Sequence, residues 1–165
     1  MAIYRKLPVT FWNEPQLDNY TAEDKYFYCY LHSNKMSNLC GCFVFSVKEA
    51  AHDMCLDMAK IETLLERAAE IHKAIMQDKE TNEILVCDWK QRNWSTSGTT
   101  AVGIVKELRE IKSEALQAIM DKITLDYITN EVIPKAANAE QLNPINRAKE
   151  EIANRIKTRC PIDTP

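Results

Sequence analysis

The order of segments between Phe11 and Trp89 is the strongest constraint this chain places on its fold. Thr21 followed by Ala22-Glu23-Asp24 reads as a helix start, with a hydroxyl cap and acids at the positive end of the helix dipole. Tyr26, Phe27, Tyr30 and Leu31 follow at helical spacing and supply an apolar stripe. Ser33-Asn34 and Ser37-Asn38 break that helix, and Phe43 and Phe45 alternate with Val44 in a short strand predicted over Cys42–Phe45. Ser46, with Glu49 three residues on, caps a second helix through about Met54, and Asp57 caps a third from Met58 to about His72. Two apolar runs, Ala74–Gln77 and Glu83–Trp89, flank the turn-prone Asp78-Lys79-Glu80-Thr81-Asn82 and read as a hairpin.

Helix, strand, helix, helix, hairpin is the order of a winged helix-turn-helix, which presents one helix and one hairpin to a partner. The third helix has the sharpest pattern. At 100° per residue, Ile61, Leu64, Leu65, Ala68 and Ile71 share one arc and face a core. Lys60, Thr63 and Arg67 form a stripe beside it, and Glu62, Glu66 and Glu70 form an acidic stripe. A DNA-reading helix uses the former, since Lys and Arg reach phosphates or guanine edges and Thr contacts either. It is repelled by the latter unless that stripe points away from the groove.

After Trp94, Ser95-Thr96-Ser97-Gly98-Thr99-Thr100 makes a polar hinge. A single long amphipathic helix is predicted over 101–123, since Ile104, Leu108, Ile111, Ala115, Ile119 and Ile123 recur every three or four residues. A short helix near Leu125–Val132 stops at Pro134, and a basic C-terminal helix over 144–158 carries Arg147, Lys149, Arg155 and Lys157, with Arg159 just beyond. The last residues, Pro161 to Pro165, are expected to fray. The fold class is therefore mostly α with a small β-hairpin: a winged helix-turn-helix domain over 1–94 and a C-terminal helical extension over 95–165.

A chain of 165 residues, 45% hydrophobic and 27% charged, can bury one ordinary core and is too apolar for wholesale disorder. Its formal charge of -3 argues against a dedicated, non-specific nucleic-acid binder, which would be basic, but leaves room for one basic face. Cys29, Cys40, Cys42, Cys55, Cys87 and Cys160 match no small disulfide scaffold, so free thiols in a reducing interior are expected. Met1–Lys6 lacks the apolar core of a signal peptide, and no apolar run approaches the roughly 20 residues that span a bilayer, so a cytoplasmic location is expected.

Candidate DNA contacts are Lys60, Thr63 and Arg67 on the third helix, with Lys48 on the preceding one. Gln77, Lys79 and Asn82 on the hairpin could reach a minor groove or backbone, and Lys90, Arg92 and Trp94 form a small basic-aromatic cluster after it. Trp89 reads as the residue that closes the core edge. Cys40 and Cys42 with His52 and Cys55 supply zinc ligand types, but their spacing fits no standard finger, so no metal is expected. Asn34 and Asn38 lie in a loop that needs no function. With glycines only at 41, 98 and 103 no phosphate cradle can be written, and His32, His52 and His72 have no nucleophile at a known motif spacing. Neither catalysis nor a cofactor is expected.

Phe11-Trp12, then the run from Ala22 to Leu31, Gly41-Cys42-Phe43, and Thr81-Asn82-Glu83-Ile84-Leu85-Val86-Cys87-Asp88-Trp89 resemble the start of phage replisome-organiser proteins. Val105-Lys106-Glu107-Leu108-Arg109-Glu110-Ile111-Lys112 looks like that family's post-wing helix. These proteins are related to the N-terminal domains of DnaD-type primosome proteins, and the resemblance spans about residues 10–120. It implies a winged helix that binds double-stranded origin DNA, self-associates as a homo-oligomer and helps recruit the helicase loader in replication initiation. The chain departs from that family in its acidic third-helix stripe and in a tail without a second DnaD-type domain. The alternative is a protein-binding module that uses Glu62, Glu66 and Glu70 to inhibit a host defence nuclease such as Cas9, in the anti-CRISPR manner.

Overall fold

The computed structural model describes Arg5 and residues 7–159. It is predominantly helical, with one three-stranded antiparallel sheet. Two compact units divide the chain. One runs to Ser37 and resumes over Gly41–Asn93, while the other joins Asn38–Cys40 to the chain from Trp94 onward.

In the first unit, 3-10 turns at Val9–Asn13 and Pro15–Leu17 bury Phe11 and Leu17 against Tyr28 and Ala74. Helix α1 (Ala22–Ser33) opens on a reciprocal capping box. The Thr21 hydroxyl accepts from the Asp24 N–H, and the Asp24 carboxylate accepts from the Thr21 N–H, an arrangement worth about 1 kcal/mol. Strand β1 (Cys42–Val44) leads to α2 (Val47–Met54), capped by Ser46. Cys55, left-handed at φ 56°, ends α2, and Asp57 caps α3 (Met58–Glu70) almost at once. Ile61, Leu64, Leu65 and Ala68 of α3 are buried, as their shared arc predicts. Ile71, placed on that arc by spacing, lies beyond the helix end and is exposed.

Strands β2 (Ile75–Asp78) and β3 (Glu83–Val86) make the hairpin, and the sheet order is β1-β3-β2. Cys42 pairs with Leu85, and Ile75 with Val86. Asp78 Oδ1 accepts from the N–H groups of Glu80 and Thr81, and Asn82 takes the positive φ of 56° that closes the turn. Short helix α4 (Trp89–Asn93) follows, with Trp89 buried. Gly41 (φ 82°) lies so close to it that a Cβ there would come within 2.2 Å of Trp89 Cγ.

The second unit corrects the expected single helix over 101–123. Two helices occupy that span: α5 (Gly98–Leu108), capped by Ser97, and α6 (Glu114–Tyr127), capped by Ser113. The break has visible causes. Ser113 is buried with its hydroxyl accepting from Leu116 N–H, and Gln117 Nε2 donates to the carbonyls of Leu108 and Ile111. Restarting the helix resets its face, so Leu116, Met120, Thr124 and Tyr127 turn inward instead of the predicted row Ala115, Ile119 and Ile123. The short helix expected near Leu125–Val132 is a continuation of α6 that widens into a π-turn over Ile128–Val132 and a 3-10 turn over Ile133–Lys135. Helix α7 (Ala139–Arg159) starts before the predicted Pro144 and carries that proline within it. Trp94 donates to the Leu39 carbonyl and packs on Tyr127. Fully buried Asp121 lies 2.5 Å from both Arg155 Nη2 and Arg159 Nη1. No helix among the described residues is long and apolar enough to cross a membrane.

Candidate binding face on the third helix

Both cations of the predicted basic stripe are engaged by α1. Lys60 Nζ lies 2.5 Å from Glu23 Oε2, and Arg67 Nη2 lies 2.5 Å from Asp24 Oδ2. Thr63, between them, turns its hydroxyl back to the Ala59 carbonyl. The basic edge was expected to stand clear of the protein. It is held instead because the acids that favour the N-terminus of α1 also face α3. Asp24 is buried, and burial pushes its carboxyl up. The Thr21 hydroxyl and N–H, then Arg67 and His72, outweigh that and hold it below the usual carboxylate range. His72 Nε2 stands 3.4 Å from the same oxygen, with the Tyr20 ring stacked on its imidazole.

Arg92 is engaged as well. It pairs with Glu14 and, through Nε at 2.5 Å, with Asp88, and only 15% of its side chain is exposed. Asp88 also accepts from the Tyr28 hydroxyl and lies 3.1 Å from His32 Nε2. Burial raises the Asp88 carboxyl, but His32, Tyr28 and Arg92 together hold it well below its ordinary range. Burial, then Asp88, pushes the Tyr28 phenol up. The His32 ring lies nearly parallel to Trp89, at 5.5 Å. Tyrosine, histidine and aspartate together resemble an acid–base constellation. The cavity beside them is about 20 Å³, however, far below the roughly 300 Å³ at which ligand pockets begin. The cluster ties the 3-10 segment at Glu14 to α1 and α4. Nothing in the sequence reading found it, although Tyr28 with His32 and Asp88 with Arg92 each sit one helical turn apart.

The opposite edge of α3 is different. Glu62, Glu66 and Glu70 are all exposed. Glu70 has Lys73 at 3.3 Å, whereas among the described residues Glu62 and Glu66 have no cation within salt-bridge reach. These acids wall a groove of about 430 Å³ that has Val47, Leu65 and Ala69 along it and Gln77, Lys79 and Asn82 of the hairpin on the far side. The structure thus brings the predicted hairpin residues together with the acidic set, not with Lys60, Thr63 and Arg67. Lys48 is exposed on α2, and Lys90 is half-buried on α4.

Cys40 and Cys42 are buried while His52 and Cys55 are exposed, and no metal-sized group of three or more His, Cys, Asp or Glu occurs among the described residues. Cys160 lies outside the described residues. In the second unit a cleft of about 530 Å³ opens beside the start of α5, between Val102, Val132 and Ile145, with Lys135 bonded to Thr96 at its rim. No family model, no curated protein and no solved structure matches this chain.

Proposed function

We propose that the first unit is a winged helix-turn-helix, with α2 and α3 as the helix pair and β2–β3 as the wing, and that it works by binding rather than by catalysis. Its setting is phage-type replication initiation, as in the replisome-organiser proteins the sequence resembles. Its partner at α3 is a protein with a basic surface. One observation carries this reading: the two cations of α3 are matched by Glu23 and Asp24, while Glu62 and Glu66 meet solvent unmatched among the described residues. A duplex brought to that face meets like charge, whereas a basic protein meets complementary charge. A helicase loader and a host defence nuclease are the two candidates to test for such a surface.

Binding of double-stranded DNA is the second reading, favoured by Lys48 and Lys79, exposed on α2 and the wing. Fluorescence anisotropy with labelled duplexes separates the two. On the first reading the protein leaves duplexes unbound at low salt, while co-elution with the phage's or host's helicase loader is lost in Glu62→Lys with Glu66→Lys. Duplex affinity that falls steeply with salt and disappears in Lys48→Ala with Lys79→Ala would replace the first reading with the second.

A further inference from the structure

The geometry points to a second binding site, in the second unit: the cleft at the start of α5 takes an organic anion, a single carboxylate carried on a compact aliphatic body. Its volume of about 530 Å³ falls within the roughly 300–1,000 Å³ of small-molecule sites, against about 20 Å³ beside Tyr28 and His32. Three departures from regular helix meet around it. The first turn of α5 forms one wall, and the π-turn and 3-10 turn that end α6 supply Val132 and Lys135. Helix α7 supplies Pro144 from within its second turn, where a proline gives up one helix hydrogen bond. Val102, Val132, Ala136 and Ile145 line the cleft with aliphatic surface, and no aromatic ring stands among its described lining residues.

The polar groups along the cleft are donors. Ser97 caps α5 by accepting from Thr100 N–H, while the N–H groups of Gly98 and Thr99, in the same turn, meet no acceptor among the described residues. Gln141 Oε1 accepts from Ala137 N–H, so its NH2 group remains to donate. Lys135 Nζ rests on the Thr96 hydroxyl at 3.3 Å and has no carboxylate within salt-bridge reach among the described residues. No Asp or Glu lines the cleft among those residues either. One cation beside amide donors matches a single negative charge, whereas a dianionic phosphate would leave charge unmet. The aliphatic walls next to that charge suit a body such as the leucine side chain. A free branched-chain acid and the last residue of a protein ending in Leu, Ile or Val share this chemistry.

Proton–nitrogen correlation NMR of the full-length protein is the test, since a chain with only three glycines makes the Gly98 amide easy to assign. Titration with N-acetyl-leucine should shift the Gly98 and Thr99 amides to saturation. N-acetyl-leucinamide, which lacks the charge, should bind at least about tenfold more weakly. Lys135→Gln should weaken binding of the acid by about fivefold. Val102→Glu, which sets a carboxylate at an exposed lining position, should abolish it while signals away from the cleft stay in place. A short peptide ending in leucine separates the two sources. Binding at least about tenfold tighter than N-acetyl-leucine assigns the site to a protein C-terminus, and equal binding assigns it to a free acid; both uphold the site. Equal affinity for acid and amide, no saturation below about 10 mM, or shifts that survive Val102→Glu would overturn it. The α3 reading is tested separately, because the cleft lies wholly within the second unit.

Discussion

Lys60 and Arg67 on one edge of α3 are held by Glu23 and Asp24, whereas Glu62 and Glu66 on the other have no cation within reach among the described residues. The helix places both sets with equal regularity, so residue spacing alone makes both look like solvent-facing stripes. What separates them is the neighbour. One edge lies against the first turn of α1, rich in acids for reasons of its own helix start, and the other borders the groove beside the β2–β3 hairpin. A charge that completes an internal pair stabilises the fold, and a charge left unmatched is available to a partner.

That contrast is most exposed to test at Arg67. Replacing it with alanine removes a charge-assisted bond from buried Asp24 and should cost about 2–3 kcal/mol in urea unfolding, while Glu66→Ala should stay within about 0.5 kcal/mol. Equal small effects would erase the distinction between the edges. Acid should act on the same pair. Asp24 and Asp88 titrate below the ordinary carboxylate value of about 3.9 when folded. The stability they supply is therefore complete above that value and is lost as pH falls toward their folded values. Unfolding midpoints followed from pH 5 downward should fall, and Asp24→Asn should flatten part of that decline; an unchanged slope would remove Asp24 as a contributor. Lys60→Ala breaks only a solvent-exposed pair and should cost about 0.5 kcal/mol, readable as a small midpoint shift. The smallest expected change has the opposite sign. Glu62→Gln with Glu66→Gln relieves like charges one turn apart and should raise stability by about 0.3 kcal/mol. A loss there would show that these carboxylates hold an internal partner after all.

The element order of the first unit was legible because its helix starts carry local signals: Thr21, Ser46 and Asp57 each cap the helix they precede. The core face of α3 was legible because one helix dictates it. The second unit hid its break, since the apolar recurrence from Ile104 to Ile123 runs unbroken through Arg109–Ser113. Only the bonds of Ser113 and Gln117 reveal that the helix restarts. The allocation of charge was hidden for a different reason. Arg92 meets Glu14 and Arg67 meets Asp24 across long stretches of chain, and no local window contains both members of either pair. The groove escaped for the same cause, because it exists only once the β2–β3 hairpin folds back beside α3.

Asp121 carries a further consequence. Its carboxylate is shut away from solvent and is matched by Arg155 and Arg159, from the final turns of α7. A copy clipped ahead of those turns would strand a bare anion in a dry interior, a situation that drives local unfolding. The far end of α7 is thereby tied to the interior of α6, so the second unit should come apart from both places at once.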